Sequence, residues 1–220
     1  MPNNRYFVLY KPFGILSQFS GEEDTLKFVS DFPPKVYPVG RLDKDSEGLL
    51  LITDDKSLNH HLLDPKFGHL RSYLAQVEGL PTEEAISQLQ SGTEINVDGK
   101  LYRTKKAFAK ILSEAPDLPE RNPPIRYRKS VPDTWIQLTL TEGKNRQVRK
   151  MTAAVGYPTL RLVRWSMEKL TISGFAVGEV REYEKEEIYR LLNIQIKTFV
   201  KDQNKSSGKT FSQASVKRRK

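Results

Sequence analysis

The alternation of apolar and polar positions predicts many short strands with a few helices between them. Residues 5–10 form a β-branched and aromatic run closed by Lys11-Pro12, so a strand ends where the proline begins. Residues 48–53 (GLLLIT) are almost continuously apolar and bounded by Asp54-Asp55, the pattern of a strand buried on both faces. Asp55 can cap a helix over 56–63, which Asp64-Pro65 stops. Tyr73, Ala75 and Val77 alternate with Leu74 and Gln76 up to Gly79, giving another strand. Pro81, Glu83 and Glu84 open a helix that runs to about Gln90, with Gly92 as its stop.

Further on, Asp98-Gly99 between short extended runs predicts a hairpin turn, and 107–112 continue as strand. Five prolines and several charges between 115 and 132 read as a long loop or surface arm. Ile136, Leu138 and Leu140 alternate with polar neighbours as in a half-buried strand. Asn145 is placed to cap a helix whose apolar positions are Val148, Met151 and Val155, with Gly156 ending it. Residues 160–172 read as two extended pieces and 185–192 as a terminal helix. The pattern is α+β, dominated by antiparallel strands, with no internal repeat.

Composition narrows the chemistry. The 220 residues include no cysteine, which excludes disulfides, thiolate zinc sites and a catalytic cysteine. No stretch is apolar for long enough to span a bilayer and the start lacks signal-peptide order, so the reading is a soluble, cytoplasmic chain. The net charge of +9 points to a polyanionic partner, but its distribution matters more. Residues 197–220 hold eight Lys or Arg and one Asp, which leaves only +2 for the body. Residues 196–220 are therefore expected to be a basic, disordered tail after a domain over 1–195. That tail is either a solvated terminus or a non-specific phosphate-binding arm.

Three groups of residues stand out. Arg146, Arg149 and Lys150 are spaced to share one helix face in its first half, where the macrodipole already places positive charge. That end suits an anion; a solvated basic face is the alternative. Arg41 and Asp43, two apart in an extended run, point the same way while Leu42 turns inward, and a rigid strand follows. As a nucleophile or base Asp43 must be ionised, which needs a nearby cation if it is buried, and Arg149 is the candidate. Asp45 and Asp54 read as turn formers. In Arg71-Ser72-Tyr73 an aromatic face lies beside a cation, which suits an unstacked base and its phosphate, with core packing as the alternative.

Other chemistries lack their signatures. His60-His61 cannot share a ligand from one helix, and no HExxH, phosphate loop, GxGxxG or GxSxG occurs. A glycosidase pair of Asp43 and Glu47 and a nuclease site of Asp43, Asp45 and Asp54 stay formally open.

In order along the chain, YKPFGILSQ, VGRLDKDSEGLLLITDD, RSYLAQVEG and LTLTEGKNRQVRKMTAAVGYPTLRLVRW closely resemble the RsuA-type pseudouridine synthases that modify ribosomal RNA. The resemblance covers most of residues 5–172. It implies a mixed, mostly antiparallel sheet in two subdomains flanking a central cleft. No S4 RNA-binding domain precedes the motifs, and the insertion RNPPIRYRKSVPDTW is similar to one in a branch acting on the large subunit. The implied reaction breaks the N1 to C1′ bond of a uridine, rotates the uracil and joins C5 to C1′, without metal or cofactor. Asp43 matches the family's essential aspartate. Tyr73 matches the tyrosine that stacks on the base and assists loss of the C5 proton, and Arg149 the arginine that pairs with the aspartate. Arg41 matches a position that helps fill the space of the flipped nucleotide. Lys11-Pro12 matches a structural motif, and Arg71 stands where lysine is more usual. Arg71, Lys144, Arg146 and Lys150, with Arg126, Arg128 and Lys129 of the arm, are expected to contact RNA. The implied partner is large-subunit ribosomal RNA, free or in a pre-ribosomal particle, met by a monomer with no obligate protein partner. A non-catalytic ribosome assembly factor on the same fold is the rival reading.

Overall fold

The computed structural model describes residues 4–125 and 131–195. In chain order the elements are β1 (Tyr6–Lys11), β2 (Tyr37–Pro38), β3 (Glu47–Thr53), α1 (Lys56–Leu63), β4 (Arg71–Glu78), α2 (Glu83–Ser91), β5 (Glu94–Val97) and β6 (Lys100–Arg103). They continue with β7 (Phe108–Ile111), β8 (Asp133–Leu140), α3 (Gln147–Ala154), β9 (Thr159–Met167), β10 (Leu170–Thr171), β11 (Val180–Tyr183) and α4 (Lys185–Leu191). This is the expected α+β class, and no described helix is long and apolar enough to cross a membrane.

One sheet runs in the order β11-β1-β3-β9-β4-β8-β7, with β2 on β3 and β10 on β9, while β5 and β6 form a separate hairpin. The sheet's two halves meet at a short parallel seam, where Glu47 pairs with Val163 and Gly48 with Arg164. Among the described residues, every other pairing between these strands is antiparallel. Backbones approach so closely at the seam that a Cβ on Gly48 would lie 2.4 Å from the Arg164 carbonyl oxygen, and Gly48 holds φ +105°. No L side chain satisfies both conditions.

The apolar run of β3 explains the core of the first half. All seven of its residues are buried. Leu49 and Leu51 pack with Leu58 and Leu62 of α1 and Ile188 of α4, while Leu50 and Ile52 face Phe7, Leu9, Leu26 and Leu42 on the other side. Each such side chain contributes about 1.5–3 kcal/mol on burial. A second cluster, with Ala75, Val77, Ile136, Leu138, Val148 and Met151, fills the other half. Tyr73 packs against clusters of both halves, beside the seam.

Asp55 caps α1 as expected, accepting from the Ser57 and Leu58 amides, and it also accepts the Tyr6 hydroxyl at 2.8 Å and the Tyr189 hydroxyl at 2.7 Å. Asp98 and Gly99 take positive φ between β5 and β6, as a tight hairpin requires. The start of α3 differs from expectation. Asn145 is not its cap; that position is Arg146, in the left-handed region at φ 52°. The reason is tertiary. The Lys144 amide donates to Gln147 Oε1, the Gln147 amide to the Lys144 carbonyl, and Arg146 reaches away to a carboxylate 101 residues back. The described first part of the long loop after β7 is docked: Leu118 packs on the first cluster, and Arg121 lies 4.4 Å over the Phe13 ring. Arg126, Arg128, Lys129 and the tail at 196–220 lie outside the described residues.

Candidate active site

A cleft of about 850 Å³ opens over the seam. Arg41, Asp43, Arg71, Tyr73, Lys144, Arg146 and Arg164 all line it. Six of these seven were expected from sequence, and the fold draws them from segments far apart in the chain. Arg149 and Lys150 do not line it.

Asp43 sits on a tightly held stretch just before β3. Leu42 turns inward, 6% exposed, and Ser17 clamps it by donating to its carbonyl and accepting from its amide. The next three carbonyls each accept from a different segment: Asp43 from the Ser46 amide, Lys44 from the Gly14 amide and Asp45 from Arg149 Nη2 at 2.6 Å. Four consecutive carbonyls are thus fixed, and a carboxylate on such a support has little freedom to wander. Arg41 on the same stretch is exposed, with Nη2 3.4 Å from Gln18 Oε1.

The expected pairing of Arg149 with Asp43 is not formed. Among the described residues the cation nearest Asp43 is Arg146, whose Nη1 lies 3.6 Å from Oδ2. Arg146 itself makes two parallel hydrogen bonds to Asp45, at 2.9 and 2.8 Å, and Arg149 Nε lies 3.4 Å from the same carboxylate. Asp45 therefore bridges the two arginines at the basic end of α3. Its hydrogen bond with Arg146 holds its carboxyl below the usual range, and the same bond pushes Arg146 up. Arg149, with its side chain 13% exposed, donates to the Asp45 and Thr159 carbonyls. Burial pushes its guanidinium down. So Arg146, Arg149 and Lys150 do not present one open anion-binding face. Arg149 holds the turn behind Asp43, and the turn former Asp45 proves to be an ion-pair hub as well.

The rest of the cleft wall has its own supports. Glu142 accepts from the Tyr102 hydroxyl, the Lys105 amide at 2.9 Å and Gln147 Nε2 at 2.7 Å, tying the β5–β6 hairpin to the turn before α3. These bonds hold its carboxyl below the usual range although burial alone would raise it. Lys144 lies 4.7 Å over the Tyr102 ring. Arg71 is anchored through the Leu62 and His69 carbonyls. Across the seam, Lys11 is fully buried and donates to the Pro12 and Ile15 carbonyls; burial pushes its ammonium down to about 7. The loop it organises contains Gly14, whose amide holds the Asp43 turn.

Two alternatives end on geometry. Glu47 is bound by Arg161 through two 2.9 Å hydrogen bonds with its side chain 2% exposed, and it does not line the cleft, so it cannot face a glycoside with Asp43. Asp54 follows the last residue of β3 while Asp43 precedes the first. The seven extended residues of β3 between them span roughly 20 Å, too far for the two to share a metal.

Sequence reading missed Asp45, Glu142 and Arg164 as site residues. Arg164 was visible as a second basic position in RLVRW, but which of Arg161 and Arg164 had a carboxylate partner depended on contacts more than a hundred residues apart.

A mixed, mostly antiparallel sheet in two halves around one cleft, with an aspartate, a tyrosine and several cations lining it, is the arrangement that the resemblance implied. The chain belongs to the RNA pseudouridylate synthase family, which residues 5–154 match, and it is an RNA pseudouridine synthase. Among its relatives, the ribosomal large subunit pseudouridine synthase E of Xanthomonas axonopodis pv. citri (strain 306) is 50% identical over 171 residues, 74% of this chain and 88% of that protein. The ribosomal large subunit pseudouridine synthase B of Bacillus subtilis (strain 168) is 37% identical over 190 residues, 84% of this chain and 70% of that protein. A crystal structure of a pseudouridylate synthase superposes with a TM-score of 0.69 at 28% identity, covering 87% of this chain and 75% of that one.

Proposed function

We propose that this enzyme converts one uridine of 23S ribosomal RNA, in the peptidyl-transferase region of the large subunit, to pseudouridine. Asp43 is the carboxylate that acts on the flipped nucleotide. Tyr73 stacks on the uracil and assists loss of the C5 proton, and Arg149 positions the Asp43 turn from behind. Arg41 enters the space vacated by the flipped nucleotide. Arg71, Lys144, Arg146 and Lys150 attract the backbone, with Arg126, Arg128 and Lys129 extending that contact. The enzyme acts as a monomer and needs no metal or cofactor, because making a C-glycoside from an N-glycoside adds no group and transfers no net electrons.

The observation that carries this reading is the placement of Asp43 and Tyr73 in one cation-rimmed cleft large enough for an unstacked nucleotide. The names of the similar proteins from Xanthomonas and Bacillus support the large subunit as target. The test is to incubate the enzyme with 23S and 16S transcripts, with transfer RNA and with large-subunit particles, then map pseudouridine by carbodiimide-dependent primer-extension stops. A single new stop in 23S RNA is expected. Modification confined to 16S RNA or transfer RNA would overturn the assignment.

A further inference from the structure

Arg164 stands directly across from Tyr73, its register partner on the neighbouring antiparallel strand, at an irregularity between Ser72 and Tyr73. Such partners share a face of the sheet with their Cβ atoms about 4.5–5.5 Å apart. Both line the cleft, Arg164 as a floor residue only 3% exposed. Its Nε donates to the Leu49 carbonyl at 2.7 Å, whereas its Nη2 is buried without a hydrogen-bond partner. Among the described residues its guanidinium enters no ion pair, unlike Arg161 three positions earlier, which Glu47 neutralises.

A buried guanidinium without a carboxylate costs several kcal/mol, and a leucine would fill the same floor at no such cost. Its charged surroundings do not help it. Burial disfavours its charge first, and the cation Arg71, next but one to Tyr73 on β4, disfavours it further, while Arg164 in turn disfavours the charge of Lys11 on β1. An arginine nonetheless stays charged in a protein. The arrangement is therefore unfavourable beside a neutral phenol and favourable beside a phenolate, as in an electrostatically prepared active site.

We propose that Arg164 is the positioning residue for Tyr73, holding the phenol over the cleft floor and stabilising its oxygen as the anion that removes the C5 proton. This rests on the uridine isomerisation proposed above. Once C5 is bonded to C1′, the Tyr73 phenolate takes the C5 proton. The C5–H bonding pair closes the C5–C6 double bond and displaces the C6–N1 π pair onto N1, which takes up one proton. The phenol returns one proton to solvent before the next turnover, so the reaction neither gains nor loses protons or electrons. Arg164 transfers no proton itself.

The test uses the full chain with Arg164→Met and Arg164→Lys in single-turnover reactions on RNA carrying uridine, 5-deuterouridine or 5-fluorouridine. Fluorine cannot leave C5 as a proton, so the last substrate reports only bond cleavage, rotation and rejoining. Arg164→Met is expected to slow pseudouridine formation by about 10²-fold. It should also raise the 5-deuterium isotope effect, leave RNA affinity unchanged and process 5-fluorouridine RNA at the wild-type rate. Arg164→Lys should recover most of the loss. Equal slowing on uridine and 5-fluorouridine RNA, an unchanged isotope effect, or loss of folding in both variants would overturn the proposal. Absence of pseudouridine with the wild-type enzyme would instead strike the parent reading.

Discussion

Replacing Arg149 by alanine separates a residue that touches RNA from one that positions the residue doing so. The guanidinium makes two hydrogen bonds to carbonyls, 2.6 Å to Asp45 and 3.2 Å to Thr159, and an ionic contact with Asp45 at 3.4 Å. A hydrogen bond from a charged donor contributes about 1.5–3 kcal/mol, which the burial that depresses this guanidinium partly offsets, so a net loss of about 1–3 kcal/mol in stability is expected. The fold should survive that. The Asp45 carbonyl loses its partner, however, and the turn carrying Asp43 is no longer held from the α3 side. A displacement near 1 Å in a reacting group costs about 10²-fold in rate. Arg149 lies outside the cleft lining, so affinity for RNA should stay near that of the wild type. Single-turnover tritium release from RNA containing 5-tritiated uridine measures the rate, and filter binding measures affinity. Full turnover by Arg149→Ala, or unaltered turnover with lost binding, would refute the positioning argument.

Three further outcomes follow from the supports of the site. Lys11 has its native ammonium pushed down to about 7 against an ordinary 10.5, so the unfolded chain binds more protons above pH 7 and stability should rise with pH toward about 10.5, by at most about 1.4 kcal/mol per pH unit from this group. Lys11→Met should flatten that rise in denaturant titrations at several pH values; an identical profile would show that Lys11 does not titrate there. Asp55→Ala removes the α1 cap and leaves the hydroxyls of Tyr6 and Tyr189 unpaired, which should cost about 3 kcal/mol or more, and a melting temperature within a degree of wild type would contradict it. Gly48→Ala meets both a forbidden φ and the Arg164 backbone, so a destabilisation on the order of 3 kcal/mol, read by chemical denaturation, is expected; a neutral effect would mean the seam can open.

What the sequence made legible was local. The buried run of β3, the Asp55 cap and the alternation of β8 each follow from neighbouring residues, and each formed as expected. The start of α3 did not, because Arg146 is drawn to Asp45 across the cleft and takes the position that composition alone would assign to Asn145. The same contact explains the exchanged arginines. Two carboxylates two residues apart and two arginines three apart allow several pairings, and only the way α3 docks on the 43–46 turn selects one. The parallel seam was equally hidden, since β3 and β9 are joined only through the second half of the fold. The cleft residues were legible through their motifs; the hydrogen bonds that hold them were not.

The proposed action of Asp43 on the nucleotide can be read from tritium release by Asp43→Asn beside the wild type. The substitution is nearly isosteric, and the stretch from Leu42 to Asp45 is held through its carbonyls rather than through the Asp43 side chain, so fold and RNA binding should persist. Rapid release from 23S RNA is expected with the wild type and none above background with Asp43→Asn, at matched RNA occupancy. Equal release from both would contradict it.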